Sequence, residues 1–304
     1  MNEELFLNMY KLKSHKVQSL DKPIRIESYC RGVFNELPSN KSVKKAVKRG
    51  CIRISGRKVS SAYFMKNGDF VELWEIQKKT PKPYDIDISV LYEDDDLAVV
   101  FKPAGLPTSG NSFRTLENAI QGKLAKSKNN PLNWPKPVHR LDSPTSGLVI
   151  VAKSIPARIK LGTMLEDRKV EKIYCALLSG RLEGKKEIQF YLEGKEAKTN
   201  VFPIELKQSL NNEYITKVLM QPITGRTHQL RKHAALIKHP IIGDSHYGEK
   251  GNVLLHKGLF LCAVKLIFCH PITLEELCIE TDPPKKFDAL MTREFKRFMK
   301  FKTQ

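Results

Sequence analysis

The chain lacks the features that mark a membrane or exported protein. None of its 304 residues belongs to an apolar run of about 18, the least that reads as a transmembrane helix. Its opening, MNEELFLNMY, has two early acids and no arginine, unlike a signal or transit peptide, so cytoplasm is the expected location. The six cysteines, Cys30, Cys51, Cys175, Cys262, Cys269 and Cys278, stand singly and form no CxxC pair, which argues against a zinc ribbon. A chain this long needs no disulfide framework, so they read as reduced thiols of the core. There is no GxxxxGK[ST] phosphate loop, and HQLRKH (228–233) lacks the glutamate of HExxH. No cofactor and no metal are expected.

Acid is scarce as well. Against 52 Lys and Arg there are 33 Asp and Glu, a formal charge of +19. Such an excess repels itself unless a polyanion is near, and nucleic acid is the polyanion that Lys and Arg bind by displacing counterions. With 41% hydrophobic residues the chain can bury a core. At about 100–200 residues per domain, its length suggests two.

Weak patterning makes 1–21 an N-terminal extension with a short helix. Residues 22–76 form a compact module. Helices are expected at 26–36 and 41–49, the second stopped by Gly50, with strands at 51–55 and 70–75. QKKTPKPYD places a Lys/Pro-rich linker at 77–86. A larger domain spans 87–304. Its expected strands are 88–92, 97–101, 147–152, 173–179, 216–221 and 262–268, and its helices 116–126, 156–167 and 228–237. This mixture without strict alternation favours α+β. The final FDALMTREFKRFMKFK is a basic amphipathic helix with Phe287, Leu290, Met291, Phe295 and Phe298 along one side. Packing on the larger domain is favoured over membrane or calmodulin binding.

On a helix, Val43, Ala46 and Val47 share one face, while Lys41, Lys44, Lys45 and Lys48 line the other. Arg49, Arg53, Arg57 and Lys58 extend that charge, and no acid intervenes between Lys41 and Gly68. A phosphate backbone suits this stripe; the bland alternative is a solvated helix face. SVKKAVKRGCIRISGRKV followed by KNGDFVELWE also resembles the alpha-L RNA-binding domain, a small N-terminal α/β module, although PIRIESYCRG departs from that family's Arg-Leu-Asp opening.

The densest chemistry lies in PVHRLDSPTSGLVIVAKS, residues 137–154. Asp142 sits in a turn before an apolar strand, where a carboxylate is presented to a cleft. Arg140, two residues earlier, points to the same side of an extended loop, favours an ionised carboxylate and can hold a phosphate. Alone, an aspartate there is more often a turn residue or helix cap.

HRLDSPTSGLVIVAKS closely resembles the signature of RluA-type pseudouridine synthases, which modify ribosomal and transfer RNA. LAVVFKPAGLPTSG (97–110), VEKIYCALLSG (170–180) and ITGRTHQLRKHAALIKHPIIGDSHYG (223–248) resemble the family's other motifs in the same order. The resemblance implies a mixed, mainly antiparallel catalytic sheet and a cofactor-free isomerisation of uridine. It makes Asp142 the catalytic carboxylate, Tyr174 the active-site tyrosine, and a basic residue of the last motif the neighbour of Asp142. Arg231 is the first choice for that neighbour and Arg226 the second. Asp142 either attacks ribose carbon 1 or deprotonates carbon 2. Tyr174 stacks on the base and helps remove the carbon 5 proton, or is simply a core aromatic. Arg140 fills the space of an everted base, and His139 joins the RNA-binding set. The departures are Leu261-Cys262-Ala263, where Leu-His-Ala is usual, and Lys232 at a commonly apolar place. The expected partner is structured RNA, ribosomal RNA ahead of transfer RNA, bound by a monomer. A non-catalytic ribosome-assembly factor and a metal-dependent RNA hydrolase are the competing readings.

Overall fold

The computed structural model describes residues 9–34, 36–76, 81–248 and 257–302. The chain divides after residue 80 into two compact units.

The first unit runs β1 (Met9–Lys16), β2 (Ile24–Arg25), α1 (Ile26–Val33), α2 (Asn40–Lys48), β3 (Ile52–Ile54), β4 (Arg57–Lys58), β5 (Phe64–Met65) and β6 (Phe70–Ile76). Ser39 starts α2 by accepting from the Ser42 N–H at 3.1 Å, and the Ser42 hydroxyl accepts from Ser39 in return. Gly50, at φ +71°, ends it in the left-handed conformation that a side chain resists. Val43, Ala46 and Val47 bury their face against Ile26, Cys30, Ile52 and Val71. Each such valine contributes roughly 1.5–3 kcal/mol by leaving water. The N-terminal expectation needs correction. Met9–Lys16 is a strand antiparallel to β6, so the module begins well before residue 22. Residues 1–8 of that expectation lie outside the described residues.

The second unit runs β7 (Val90–Glu93), β8 (Leu97–Lys102), α3 (Leu116–Ala119), β9 (Pro131–Pro137), β10 (Ser146–Ser154), α4 (Ile155–Glu166), β11 (Glu171–Ser179), β12 (Lys186–Leu192), β13 (Lys195–Ser209), β14 (Glu213–Pro222), α5 (Gln229–Leu236), β15 (Leu261–Cys269), β16 (Glu276–Glu280) and α6 (Lys286–Lys302). One mixed sheet has the order β12-β13-β14-β11-β15-β10-β8-β7, with β16 beside β15 and β9 beside β10. Its pairings are antiparallel except β10 with β15. β10 is buried along its whole length, as its β-branched run Val149-Ile150-Val151 suits. Val149 and Val151 join the core beneath α3, and Leu148 and Ile150 the core beneath α4. Ala176 and Leu178 of β11 face the core under α5, and Cys175 and Leu177 the one under α6.

Where β10 meets β15, Gly147 has φ +120° and no room for a side chain. A Cβ there would lie 2.2 Å from the Ala263 carbonyl oxygen. Tyr174 pairs with the same Ala263 from the other side, just after a register shift between Ile173 and Tyr174. The extra residue, Val264, lies on β15, so β11 keeps its alternation through Tyr174.

Four expectations change here. The helix at 116–126 is one turn long, and Gly122 lies beyond it at φ +75°. Residues 81–86 are docked rather than linker: Tyr84 donates its N–H to Asn118 O at 3.1 Å and packs with Ile86 on the α3 core. Residues 77–80 of that linker lie outside the described residues. On α6, Phe287, Leu290 and Met291 are buried as expected, but Phe295 is exposed and Glu294 is buried instead, paired with Arg297 at 3.2 Å. Cys269 and Cys278 are exposed, not core thiols.

Candidate active site

The turn carrying Asp142 is clasped by the loop that follows β8. Lys102, fully buried, donates to the carbonyls of Leu106 (2.7 Å), Pro103 (2.9 Å) and Ser143 (3.2 Å). Ser143 Oγ donates to Gly105 O at 3.0 Å, and the Gly105 N–H returns to Ser143 O at 2.7 Å. The Thr108 hydroxyl donates to Leu141 O (3.0 Å) and accepts from the Leu141 N–H (3.1 Å). Asp142 O accepts from Thr145 N–H at 3.0 Å, closing the turn. Five polar contacts therefore fix the backbone on either side of a carboxylate that keeps 24% of its side chain exposed.

Two cationic or ionisable groups approach that carboxylate. Arg231 Nη1 lies 3.8 Å from Asp142 Oδ2, and His228 Nε2 lies 3.7 Å from it. Arg231 is 3% exposed and is held by a two-point ion pair to Asp244, at 2.8 and 2.7 Å. Asp244 also accepts the N–H groups of His246 and Tyr247. Despite burial, these donors hold its carboxyl below the usual range. A buried guanidinium with such a partner has little freedom, so its unused edge is a fixed electrostatic wall beside Asp142. His228 has φ +55°, a left-handed conformation uncommon for a residue with a side chain, and its Nδ1 lies 3.0 Å from Tyr247 Oη. Burial pushes the Lys102 ammonium down to about 8, with the charge of Asp142 opposing.

The expected residues meet in one cleft of about 660 Å³, lined among others by His139, Arg140, Asp142, Tyr174, Arg226 and Arg231. That volume suits a nucleotide-sized ligand. Arg140 is exposed there. Tyr174 bridges the cores under α3 and α5. Burial, and then the charge of Asp142, push its phenol up. The neutral form therefore prevails, which suits stacking rather than proton removal. Arg226 donates its Nε–H to Glu196 O at 3.0 Å, whereas Arg231 is the arginine paired with Asp142.

Two RNA-contact expectations are corrected. His139 accepts the Ile150 N–H on Nε2 at 3.1 Å, and burial pushes its imidazole down to about 3. It is a neutral anchor for the turn and brings no positive charge to a phosphate. In the first unit, Arg53 is buried, donates to Gly50 O at 3.4 Å and stacks 4.8 Å from the Trp74 ring, so its guanidinium braces the module. Lys41, Lys44, Lys45, Lys48, Arg49, Arg57 and Lys58 are exposed as expected.

The sequence reading passed over Lys102, Thr108, Ser143, Asp244 and the placement of His228. Lys102 had a signal, a lysine closing an apolar strand before Pro103. The left-handed turn that brings His228 to Asp142 had none. Lys232, at its unusual place, pairs with Glu193 at 2.7 Å. Among the described residues no group of three His, Cys, Asp or Glu is placed to hold a metal.

An aspartate in a nucleotide-sized cleft, backed by a clamped arginine and a tyrosine, thus stands on a mixed, mainly antiparallel sheet. Residues 96–236 match the RNA pseudouridylate synthase family. An RNA pseudouridine synthase of Aquifex aeolicus is 32% identical over 295 residues, 88% of this chain and 92% of that protein. Ribosomal large subunit pseudouridine synthase C of Vibrio parahaemolyticus is 27% identical over 88% of this chain and 91% of that one. Among solved structures, human RNA Pseudouridylate Synthase Domain Containing 1 superposes with a TM-score of 0.56 at 27% identity, covering 65% of this chain and 84% of that one. The chain belongs to the RNA pseudouridine synthase family, whose members isomerise uridine in RNA.

Proposed function

We propose that the substrate is ribosomal RNA and that Asp142 is the carboxylate that breaks the uridine glycosidic bond. The observation that carries this reading is Asp142 itself, half-open to the cleft and 3.8 Å from a buried guanidinium. Isomerisation frees a uracil anion and leaves the ribose electron-poor, and a carboxylate is the natural partner of such a sugar. Whether its oxygen adds to carbon 1 or takes the carbon 2 proton, the base is released, turns, and rejoins through carbon 5. Atoms and electrons balance without a redox partner.

The target must leave its stack, at a cost of a few kcal/mol. Exposed Arg140 at the cleft wall takes the vacated space or the displaced backbone, and neutral Tyr174 packs on the everted base. In the first unit, the exposed lysines of α2 grip phosphates as an alpha-L RNA-binding domain. The large-subunit names of relatives such as the Vibrio protein support ribosomal over transfer RNA. The test is to map pseudouridines across stable RNAs in a deletion strain complemented with wild type or with Asp142→Asn. One or more ribosomal sites should vanish on deletion and return only with wild type. Return with Asp142→Asn would refute the catalytic assignment, and loss confined to transfer RNA would refute the substrate.

A further inference from the structure

The cleft contains a cation that no role above uses. Lys172 lies two residues before Tyr174 on β11, so alternation puts both on one face of the strand, and both line the cleft. Its side chain is half-buried, and that burial lowers its proton affinity. Among the described residues it makes no ion pair and no side-chain hydrogen bond, which contrasts with Arg231 on Asp244, Lys153 on Glu93 and Lys217 on Asp288. The acids nearest in sequence are engaged elsewhere. Glu171 accepts from Gln221 at 3.4 Å, and Asp167 pairs with Lys169 at 3.2 Å. His139, whose imidazole feels the Lys172 charge, is neutral, and its Nδ1 has no partner among the described residues. Glu171 also lines the cleft, but it pairs with neither Lys172 nor Arg168 among the described residues, so both cations stand there without an ion-pair partner.

A second cation lines the same cleft at a strained place. Arg168 follows the C-cap of α4 with φ +60°, where glycine is the residue without penalty. It too makes no ion pair among the described residues. Leaving a desolvated ammonium uncompensated is costly, and so is a side chain in the left-handed region. The helix cap, closed by the Lys169 N–H on Met164 O at 2.8 Å, accounts for the Arg168 backbone, but an anionic ligand in the cleft would compensate the Lys172 ammonium and engage the free Arg168 guanidinium.

We propose that Lys172 and Arg168 form a phosphate site in the cleft, which holds a phosphodiester flanking the everted uridine. The assignment rests on the uridine-in-RNA reading of the cleft. It gives the cleft an anion-binding pair beside the Asp142–Arg231 pair. Charge-assisted bonds to the phosphate would fix the ribose while the base turns.

Lys172→Met keeps the volume and removes the charge. The probe is an oligouridylate, a single strand that needs no flipping, bound to the full-length protein at several salt concentrations. The expected result is affinity about tenfold weaker. The slope of log affinity against log salt should become shallower by about 0.7, the share of one single-strand phosphate. The melting temperature of the RNA-free variant should stay level or rise. Arg168→Gly should show the same pattern, since glycine relieves the backbone. Unchanged affinity and slope would overturn the site. So would weaker binding with an unchanged slope, which would mean a contact to the base, or a lower melting temperature in both variants, which would mean a structural role. The readout is binding, so it is independent of turnover: surviving pseudouridine formation in Asp142→Asn would sink the catalytic reading, whereas an unaltered slope in Lys172→Met would sink only this site.

Discussion

The two units carry positive charge in opposite ways. In the first, the lysines of α2 stand in water. Lys44 approaches Glu27 at 3.4 Å with 57% of its side chain exposed, so water screens the lysine end of the pair. In the second, Arg231 is 3% exposed and locked to a carboxylate that is fully buried. Exposed charge supplies affinity that salt weakens, and it tolerates imprecise geometry. Buried charge supplies a fixed field where bonds change, and it depends on every partner. On the function proposed above, one chain thus separates holding RNA from acting on it.

The largest effects should come from breaking the buried side of that contrast. Arg231→Met strands the Asp244 carboxylate in the core and should cost about 3–5 kcal/mol in urea unfolding. Lys44→Ala in the first unit should cost less than about 1 kcal/mol. Equal losses would show that the two pairs are not different in kind.

Next comes the backbone beneath each region. Gly147→Ala drives a Cβ to 2.2 Å from Ala263 O, between two central strands, and should cost about 3 kcal/mol or more. Gly56 also has positive φ, but a Cβ there meets nothing within 4 Å. Gly56→Ala should therefore cost only about 1 kcal/mol, the backbone penalty alone. Comparable unfolding midpoints for the two variants would contradict the crowding assigned to Gly147.

Replacing Lys41, Lys44, Lys45 and Lys48 together with Gln should leave the unfolding midpoint nearly unchanged. It should make the salt dependence of RNA binding shallower by up to about three, with each lost phosphate contact worth about 0.7–0.9. An unaltered slope would return α2 to an ordinary solvated face.

The smallest effect is a pH dependence. Lys102 holds its proton less tightly folded, near 8, than unfolded, near 10.5. Between those values the unfolded chain binds more protons, so stability should rise with pH there. Below about 8 the contribution is flat. Turnover should move the other way, because deprotonation removes a cation near Asp142. Stability that falls across this window while turnover holds would reverse the assigned sign.

What was legible in the sequence divides along physical lines. Local periodicity gave the faces of α2 and the hydrophobic strands around Asp142, because 3.6-residue and two-residue repeats survive in the composition. The HRLD turn, Tyr174 and Arg231, which line one cleft, were legible because the motifs carry them in contiguous residues. The β12–β13 hairpin escaped because its Lys- and Glu-rich strands mute the alternation, although Glu193-Gly194 turns with positive φ at both residues. β9, with proline at positions 131, 135 and 137, does not read as a strand, yet it pairs with β10, its one partner among the described residues. Arg53 and His139 were misjudged because a charged residue's burial depends on long-range packing, here against Trp74 and the β10 backbone. Lys172 was invisible for a related reason: only three-dimensional structure shows that a lysine has no ion-pair partner among the described residues.

The claim that the second unit acts through one carboxylate is tested most directly by single-turnover conversion of a large-subunit ribosomal RNA transcript, with affinity measured on the same samples. Wild type should form pseudouridine, and Asp142→Asn should bind the transcript within about twofold of wild type while conversion falls by about three orders of magnitude or more. Conversion by Asp142→Asn at the wild-type rate, on RNA that it binds equally well, would contradict the account.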